Sequence, residues 1–219
     1  MTHTLLHICC APCSTVPLAA LLAEGTPVFA LFENSNIHPA EEHERRWATF
    51  ASFAENLGIG YAQGAYDPDA WDAAVGTHAG VYPLREGDPA LAEMRALRLK
   101  RCRACYAFRF ERLAAYAAAH GFDAVATTLS ISPYQFTALM AAELAAAAAR
   151  HGIASAFNDY RASYPESVRR SRSLGMYRQN HCGCRYSAEE AALERAARKA
   201  SRKAGRETPR EAVQEGRGA

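Results

Sequence analysis

Apolar residues along the chain fall into short continuous runs separated by stretches with helical spacing. Thr4 to Ile8 (TLLHI) is a short apolar run, Pro27 to Phe32 (PVFALF) reads as a buried strand, and Ile59 to Gln63 and Phe122 to Thr128 are further strand candidates. Between them, Ser14 is placed to cap a helix through Leu22 to Gly25. Ala40 to Leu57 sets Trp47, Phe50, Phe53, Ala54 and Leu57 at i, i+3, i+4 spacing before Gly58 stops it. Asp67 to Val75 opens with Asp-Pro and predicts a short helix, residues 80–90 a loop, residues 91–119 a long helix, and Pro133 to Arg150 an Ala-rich one. Strands alternating with helices predict an α/β protein: a Rossmann-like open parallel sheet with helices on both faces, plus helical additions. Ligands gather at the carboxyl ends of such strands, and both Cys9-Cys10 and Thr127 to Tyr134 (TTLSISPY) lie just beyond them. Residues 1–187 are expected to form one domain, and residues 188–219 a basic helical tail whose end, GRETPREAVQEGRGA, fades into disorder.

Composition narrows the class. With 219 residues, 49% hydrophobic, 22% charged and a net charge of +2, the chain has the profile of a soluble globular protein rather than a disordered one. A chain of this length buries enough apolar surface to fold without disulfides, so seven cysteines in tight groups are candidates for chemistry. No Lys or Arg precedes Arg45, and no apolar run approaches the roughly 20 residues of a membrane span, so the expected location is cytoplasmic, away from membranes. Charge is uneven. Residues 95–112 carry seven cations against Glu111, and residues 161–185 carry six against Glu166. Either stretch could be a solvated helix face, but concentration beside two cysteine pairs favours a phosphate-bearing partner, a nucleic acid or a nucleotide.

The cysteines form three groups: Cys9-Cys10-Ala-Pro-Cys13, Cys102-Arg-Ala-Cys105 and Cys182-Gly-Cys184. A C-x-x-C pair can place two thiolates on one metal or cluster, and a second pair from elsewhere completes four soft ligands, as suits zinc or iron–sulfur. Adjacent cysteines in extended chain point to opposite sides, which is awkward for one zinc ion and modestly favours a cubane. Cations around Cys102 and Cys105 would offset thiolate charge; buried reduced cysteines remain the plain alternative. A Cys182–Cys184 bridge would be a strained, easily reduced ring, fit for regulation or catalysis, and a metal-free dithiol or two further ligands are equally open. Cys13 stands at a helix start, where the dipole lowers a thiol's pKa; it can ligate an additional metal, act as an acid or pack. His7, His38 and His181 read as structural residues more readily than as ligands.

Taken in order, LLHICCAPCS, NIHP, RCRACY, TTLSISPYQ and MYRQNHCGCRYS resemble the iron–sulfur, cobalamin-independent epoxyqueuosine reductases of the QueH type, over residues 4–187. The loop ENSNIHP departs from the commoner wording, with Ser35 where Pro is usual, and touches no metal ligand. The resemblance implies an iron–sulfur catalytic domain that performs the last step of queuosine biosynthesis, reductive removal of the epoxide oxygen of epoxyqueuosine at the wobble position of a tRNA anticodon. By motif, Cys9, Cys10, Cys102 and Cys105 match the [4Fe-4S] ligands, Cys182 and Cys184 match a redox-active disulfide, and Cys13 is available to an additional iron. Deoxygenation needs two electrons and two protons; a cluster supplies what side chains lack, refilled by an electron donor the sequence does not identify. The proton donor is sought among Tyr134, His38, Cys182 and Cys184. An anticodon loop offers phosphates and an extruded base, for which Tyr106, Phe108, Tyr134, Phe136 and Tyr177 are available, and charge density singles out Arg169, Arg170, Arg172 and Arg178 as tRNA contacts.

Three rivals stand beside this reading. A tRNA-thiolating ATPase of the PP-loop class needs a Gly-rich S-G-G-x-D-S turn after the first strand, where CCAPCS stands instead. A zinc-stabilised nucleic-acid-binding protein leaves Cys182 and Cys184 without a role. A thiol oxidoreductase working through its dithiols alone would survive iron removal.

Overall fold

The protein is described by a computed structural model covering residues 2–207, with side chains as far as Arg202. Five strands, β1 (Thr4–His7), β2 (Val28–Phe32), β3 (Gly60–Gln63), β4 (Ala124–Thr127) and β5 (Ala154–Ser155), pair in the order β3-β2-β1-β4-β5, all parallel. Successive side chains of a strand point to opposite faces, and β1 shows the consequence. Leu5 packs with Phe110, Leu113 and Ala117 of α4 (Leu91–Ala119) and Met140 and Leu144 of α5 (Thr137–Arg150). Leu6 packs with Leu18 and Leu21 of α1 (Ala11–Ala23) and Phe50 and Ala54 of α2 (Ala40–Leu57). Both faces are therefore covered, as an all-parallel sheet requires.

From β1 the chain winds outward through β2 to β3, then returns to the other side of β1 for β4 and β5. The direction reverses between β1 and β4, and their carboxyl ends bound the crevice in which such folds bind ligands. Three additions surround that crevice. The helix α3 (Pro68–Val75) packs on α4, α6 (Tyr164–Ser173) packs on α1, and α7 (Arg185–Glu207) follows the last cysteine pair.

Several boundaries differ from the sequence expectation for physical reasons. The helix α1 starts at Ala11, because Cys10 caps it and Pro12 falls in the first turn, where no N–H is needed; Ser14 lies inside and donates to Ala11 O at 2.8 Å. The helix α5 starts at Thr137, because residues 128–131 form a 3-10 turn anchored by the Thr127 hydroxyl. The buried stripe of α2 is His43, Arg46, Phe50 and Ala54, one position round from the expected one, and Leu57 is 39% exposed. The helix α7 runs unbroken across residue 187, and Glu190 is fully buried beneath it. The expected fading of the tail, past Glu207, lies outside the described residues.

Candidate functional site

The turn after β1 carries the first sulfur group. Cys9 N–H donates to Thr128 Oγ1 at 3.1 Å, and that hydroxyl lies 3.4 Å from Cys9 Sγ, so the segments following β1 and β4 do meet. Cys10 Sγ accepts the Cys13 N–H at 3.4 Å and the Gln179 side-chain amide at 2.7 Å. The sulfurs of Cys9, Cys10 and Cys13 lie within 4.8 Å of one another. Burial pushes the Cys10 thiol up, but hydrogen bonds from Cys13 and Cys9 and the Arg46 guanidinium outweigh it and hold Cys10 well below the usual thiol range. Donating toward Cys10 pushes Cys9 up to about 11 and pushes Cys13 up as well. The depression expected at Cys13 thus falls on Cys10, because the cap residue receives the helix N–H while Cys13, inside the first turn, donates. Beneath them His7 is structural: burial, then the Arg109 charge, bring it down to about 3, and its ring spans Thr127 Oγ1 (2.9 Å) and Glu33 O (3.0 Å).

A second group lines a cleft of about 460 Å³, open mouth included. Cys102 and Cys105 stand one turn apart on α4; Cys182 and Cys184 reach it from the segment before α7. All seven cysteines are free thiols, with Cys182 exposed and Cys184 buried. Burial raises the thiols of Cys102 and Cys105, and that of Cys184 to about 12 with the help of Cys182. Trp71, Tyr106, Tyr134, Gln135 and Phe136, with Arg98, Arg101 and Ser187, complete the walls. Tyr106 OH donates to Gln135 Oε1 at 2.6 Å, whose amide lies 3.6 Å from Cys182 Sγ; Tyr134, 75% exposed, stands at the mouth. Cys102 lines the cleft and also packs against the apolar core cluster to which Cys9 and Cys10 belong. No carboxylate intrudes among these sulfurs in the cleft lining or the trio, so the donor set fits a thiophilic metal or cluster.

The backbone of the last pair is clamped. His38 N–H donates to Gly183 O at 2.9 Å, and Arg46 donates to Cys182 O at 2.9 Å and His181 O at 3.4 Å. Gly183 has φ +129°, and a Cβ there would come within 3.0 Å of Arg46 and Ile37. NIHP therefore contributes a backbone cradle. His38 itself is committed, with Nδ1 2.9 Å from Asn36 O and Nε2 2.9 Å from Arg185, and does not line the cleft. Ser35 does what Pro there could not: its hydroxyl donates to Ala65 O and accepts the Asp67 N–H. Sequence reasoning overlooked Arg46, Gln135 and Gln179. A cation on the buried stripe of α2 was a readable signal for Arg46; the two glutamines stand within the motifs TTLSISPYQ and MYRQNHCGCRYS, which pointed to them without giving either a role.

Most of the basic residues beside the cysteines are spent internally. Arg101 makes a bidentate pair with Glu190 (2.6 and 2.9 Å), Arg98 bonds Glu194, Arg103 bonds Glu143, and Arg112 bonds Glu33. Arg109 is buried against Asn34 and His7. Of the suggested RNA contacts, Arg169 and Arg170 share Glu166, Arg178 turns inward to Val168 O and Ser171, and Arg172 is exposed. Tyr177 bonds Glu42, and Phe108 packs against the cluster of Trp71, Cys105 and Cys184 without lining the cleft itself.

No helix among the described residues is long and apolar enough to cross a membrane. A profile of the family described as epoxyqueuosine reductase QueH matches residues 4–190. Proteins named epoxyqueuosine reductase QueH from Dehalococcoides mccartyi (30% identical, over 85% of this chain and 92% of theirs), Thermotoga maritima (31%, 87% and 92%) and Acinetobacter baylyi (32%, 85% and 80%) are similar along nearly the same span. The matched span contains the strand ends, both sulfur groups and the clamp, so the site and the likeness coincide: this chain belongs to the QueH family of epoxyqueuosine reductases.

Proposed function

We propose that this protein reduces epoxyqueuosine to queuosine at the wobble position of a tRNA anticodon, in the cytoplasm, releasing the epoxide oxygen as water with two electrons and two protons. The observation that carries this is the two sulfur groups, the Cys9, Cys10 and Cys13 trio at the end of β1 and the four cysteines that line a cleft with aromatic walls. Cys9, Cys10, Cys102 and Cys105 would hold a [4Fe-4S] cluster, with Cys13 free to take an additional iron. Such a group supplies the single electrons that side chains cannot, drawn from an external donor.

The chain's own residues receive the base and manage protons. Tyr134 at the mouth, with Phe136 and Tyr106 inside, offers faces against which an extruded base stacks. Gln135, fixed by Tyr106, presents its amide next to Cys182, where it can orient a polar substituent. Cys184, kept protonated by burial, and the more exposed Cys182 are placed as a dithiol whose oxidation to a disulfide would release the two electrons and two protons that the epoxide consumes, the external donor's two electrons then returning the disulfide to the dithiol, in keeping with the role the family resemblance assigns them. Arg169, Arg170, Arg172 and Arg178 remain the proposed phosphate contacts on α6 and after it.

One specific observation favours a second reading. Three sulfurs within 4.8 Å converge as the ligands of a single ion do, which suits zinc as well as iron. Anaerobic purification of the full chain separates the two. About four iron and four sulfide per chain, with loss of one oxygen from epoxyqueuosine in tRNA read by nucleoside mass spectrometry, is the expected result. About one zinc, no sulfide and no deoxygenation would replace the reductase reading with a zinc-stabilised binding protein.

A further inference from the structure

The cations near the cysteines are largely neutralised, yet another set on the same molecule is not. On α7 the acidic residues turn toward the body: Glu190 pairs with Arg101, and Glu194 accepts from Arg98 and from the Leu84 N–H. The cations turn away. Arg195, Arg198, Lys199 and Arg202 recur at i, i+3, i+4 and i+7, which places them along one face of the helix, and all four are exposed. Among the described residues none of them meets a carboxylate, and Arg195 touches only Asn180 O, at 3.4 Å. Glu189, the other carboxylate among the described side chains of α7, lies about a third of a turn away. The same spacing continues in the sequence at Lys203 and Arg206.

The shape of this stripe identifies its partner. It begins over the segment that carries Cys182, beside the cleft mouth, and leads away for about 10 Å between Arg195 and Arg202 at 1.5 Å per residue. Its neighbours, Ala196, Ala197, Ala200 and Ser201, are small, so there is no bulky apolar face of the kind that enters a lipid surface. A line of unpaired cations near the cysteine-lined cleft suits a polyanion that reaches that cleft and continues past it. The stripe also lies beyond the residues that match the family, 4–190.

We propose that the face of α7 bearing Arg195, Arg198, Lys199 and Arg202 binds the phosphate backbone of the tRNA substrate, gripping the anticodon arm beside the loop whose base enters the cleft. The proposal rests on the tRNA reading above. It is tested by titrating an unmodified tRNA transcript into the full chain and into its R195Q/R198Q/K199Q/R202Q variant, by fluorescence anisotropy over a salt series. Glutamine keeps helix propensity at these exposed positions, and a matching thermal melt confirms the fold. The variant is expected to bind at least about ten-fold more weakly near 0.1 M salt, with a slope of log K against log salt smaller by about three. Its KM for epoxyqueuosine-tRNA rises while kcat holds. Equal affinity and slope in the two proteins would overturn the proposal, as would a loss seen only on phosphatidylserine vesicles. A wild-type chain that shows the salt-dependent tRNA binding without deoxygenating epoxyqueuosine supports the arm and overturns the reductase reading; one that binds no tRNA overturns both.

Discussion

The two sulfur groups are built in opposite ways. Cys9, Cys10 and Cys13 fall within one turn between β1 and α1, so strand end, helix cap and the Thr128 contact suffice to place them. Cys102, Cys105, Cys182 and Cys184 come from distant parts of the chain and meet only when α7 is docked. That docking depends on buried charge: Arg101 against Glu190 on one side, Arg46 on the Cys182 carbonyl on the other. The first group is a local consequence of sequence, the second of tertiary assembly, and Gln179 reaches from the second region to Cys10 of the first. Sensitivity to distant substitutions should therefore belong to the second group.

The most severe test asks whether the groups work as one centre. Cys10→Ser removes the sulfur whose thiol is held lowest in the local group. If both groups share one cluster, iron falls to near zero by elemental analysis and epoxide reduction falls to background. Retention of a full iron complement on Cys102 and Cys105 would separate the two regions functionally.

Next in size is Glu190→Ala, which leaves Arg101 buried without its partner. Removing one member of a buried pair costs about 3–5 kcal/mol, so the urea midpoint should drop sharply. Alkylation of Cys102 and Cys184 should rise many-fold and that of Cys10 less, because Cys10 meets the segment before α7 through Gln179 and Arg46 while its strand end and helix cap are local. A stability loss under about 1 kcal/mol would mean that the cleft does not rely on this pair.

The same contrast explains what was legible in the sequence. Four strands and the helices α1 to α5 were readable because periodicity and caps are local, whereas α6 was not read, and the meeting of Cys9 with Thr128 followed from the parallel topology. The strand β5 escaped notice because its two residues are short and exposed. The stretch around Arg101 read as a phosphate-binding run, because a carboxylate 89 residues away in sequence cannot be assigned to it before the fold is known. Arg46 escaped for the same reason, its carbonyl partner being 136 residues distant.

A smaller effect is expected from Gly183→Ala. The positive φ and the 3.0 Å approach to Arg46 and Ile37 make any side chain strained, at about 1–3 kcal/mol. Confined to the Cys182–Cys184 segment, that strain should lower kcat/KM about ten-fold with iron content unchanged. Loss of iron in this variant would show that the clamp also supports the metal-holding residues.

The mildest change probes the contact that crosses between the regions. Gln179 belongs to the segment that leads to the cleft, yet its amide donates to Cys10 Sγ at 2.7 Å in the local group. A donor on a metal-bound sulfur steadies the ligand's orientation and its negative charge, and losing such a partner costs about ten-fold or more in metal affinity. Gln179→Ala should then surrender iron to a chelator about ten-fold faster with little change in melting temperature, because the residue makes no other described hydrogen bond. Gln179→Glu should be worse than Ala, since it replaces the donor with a carboxylate that repels the thiolate. If both variants hold iron as wild type does, the amide bond is incidental and Arg46, which acts on Cys10 and holds the Cys182 carbonyl, is left as the link between the locally built sulfurs and those assembled at a distance.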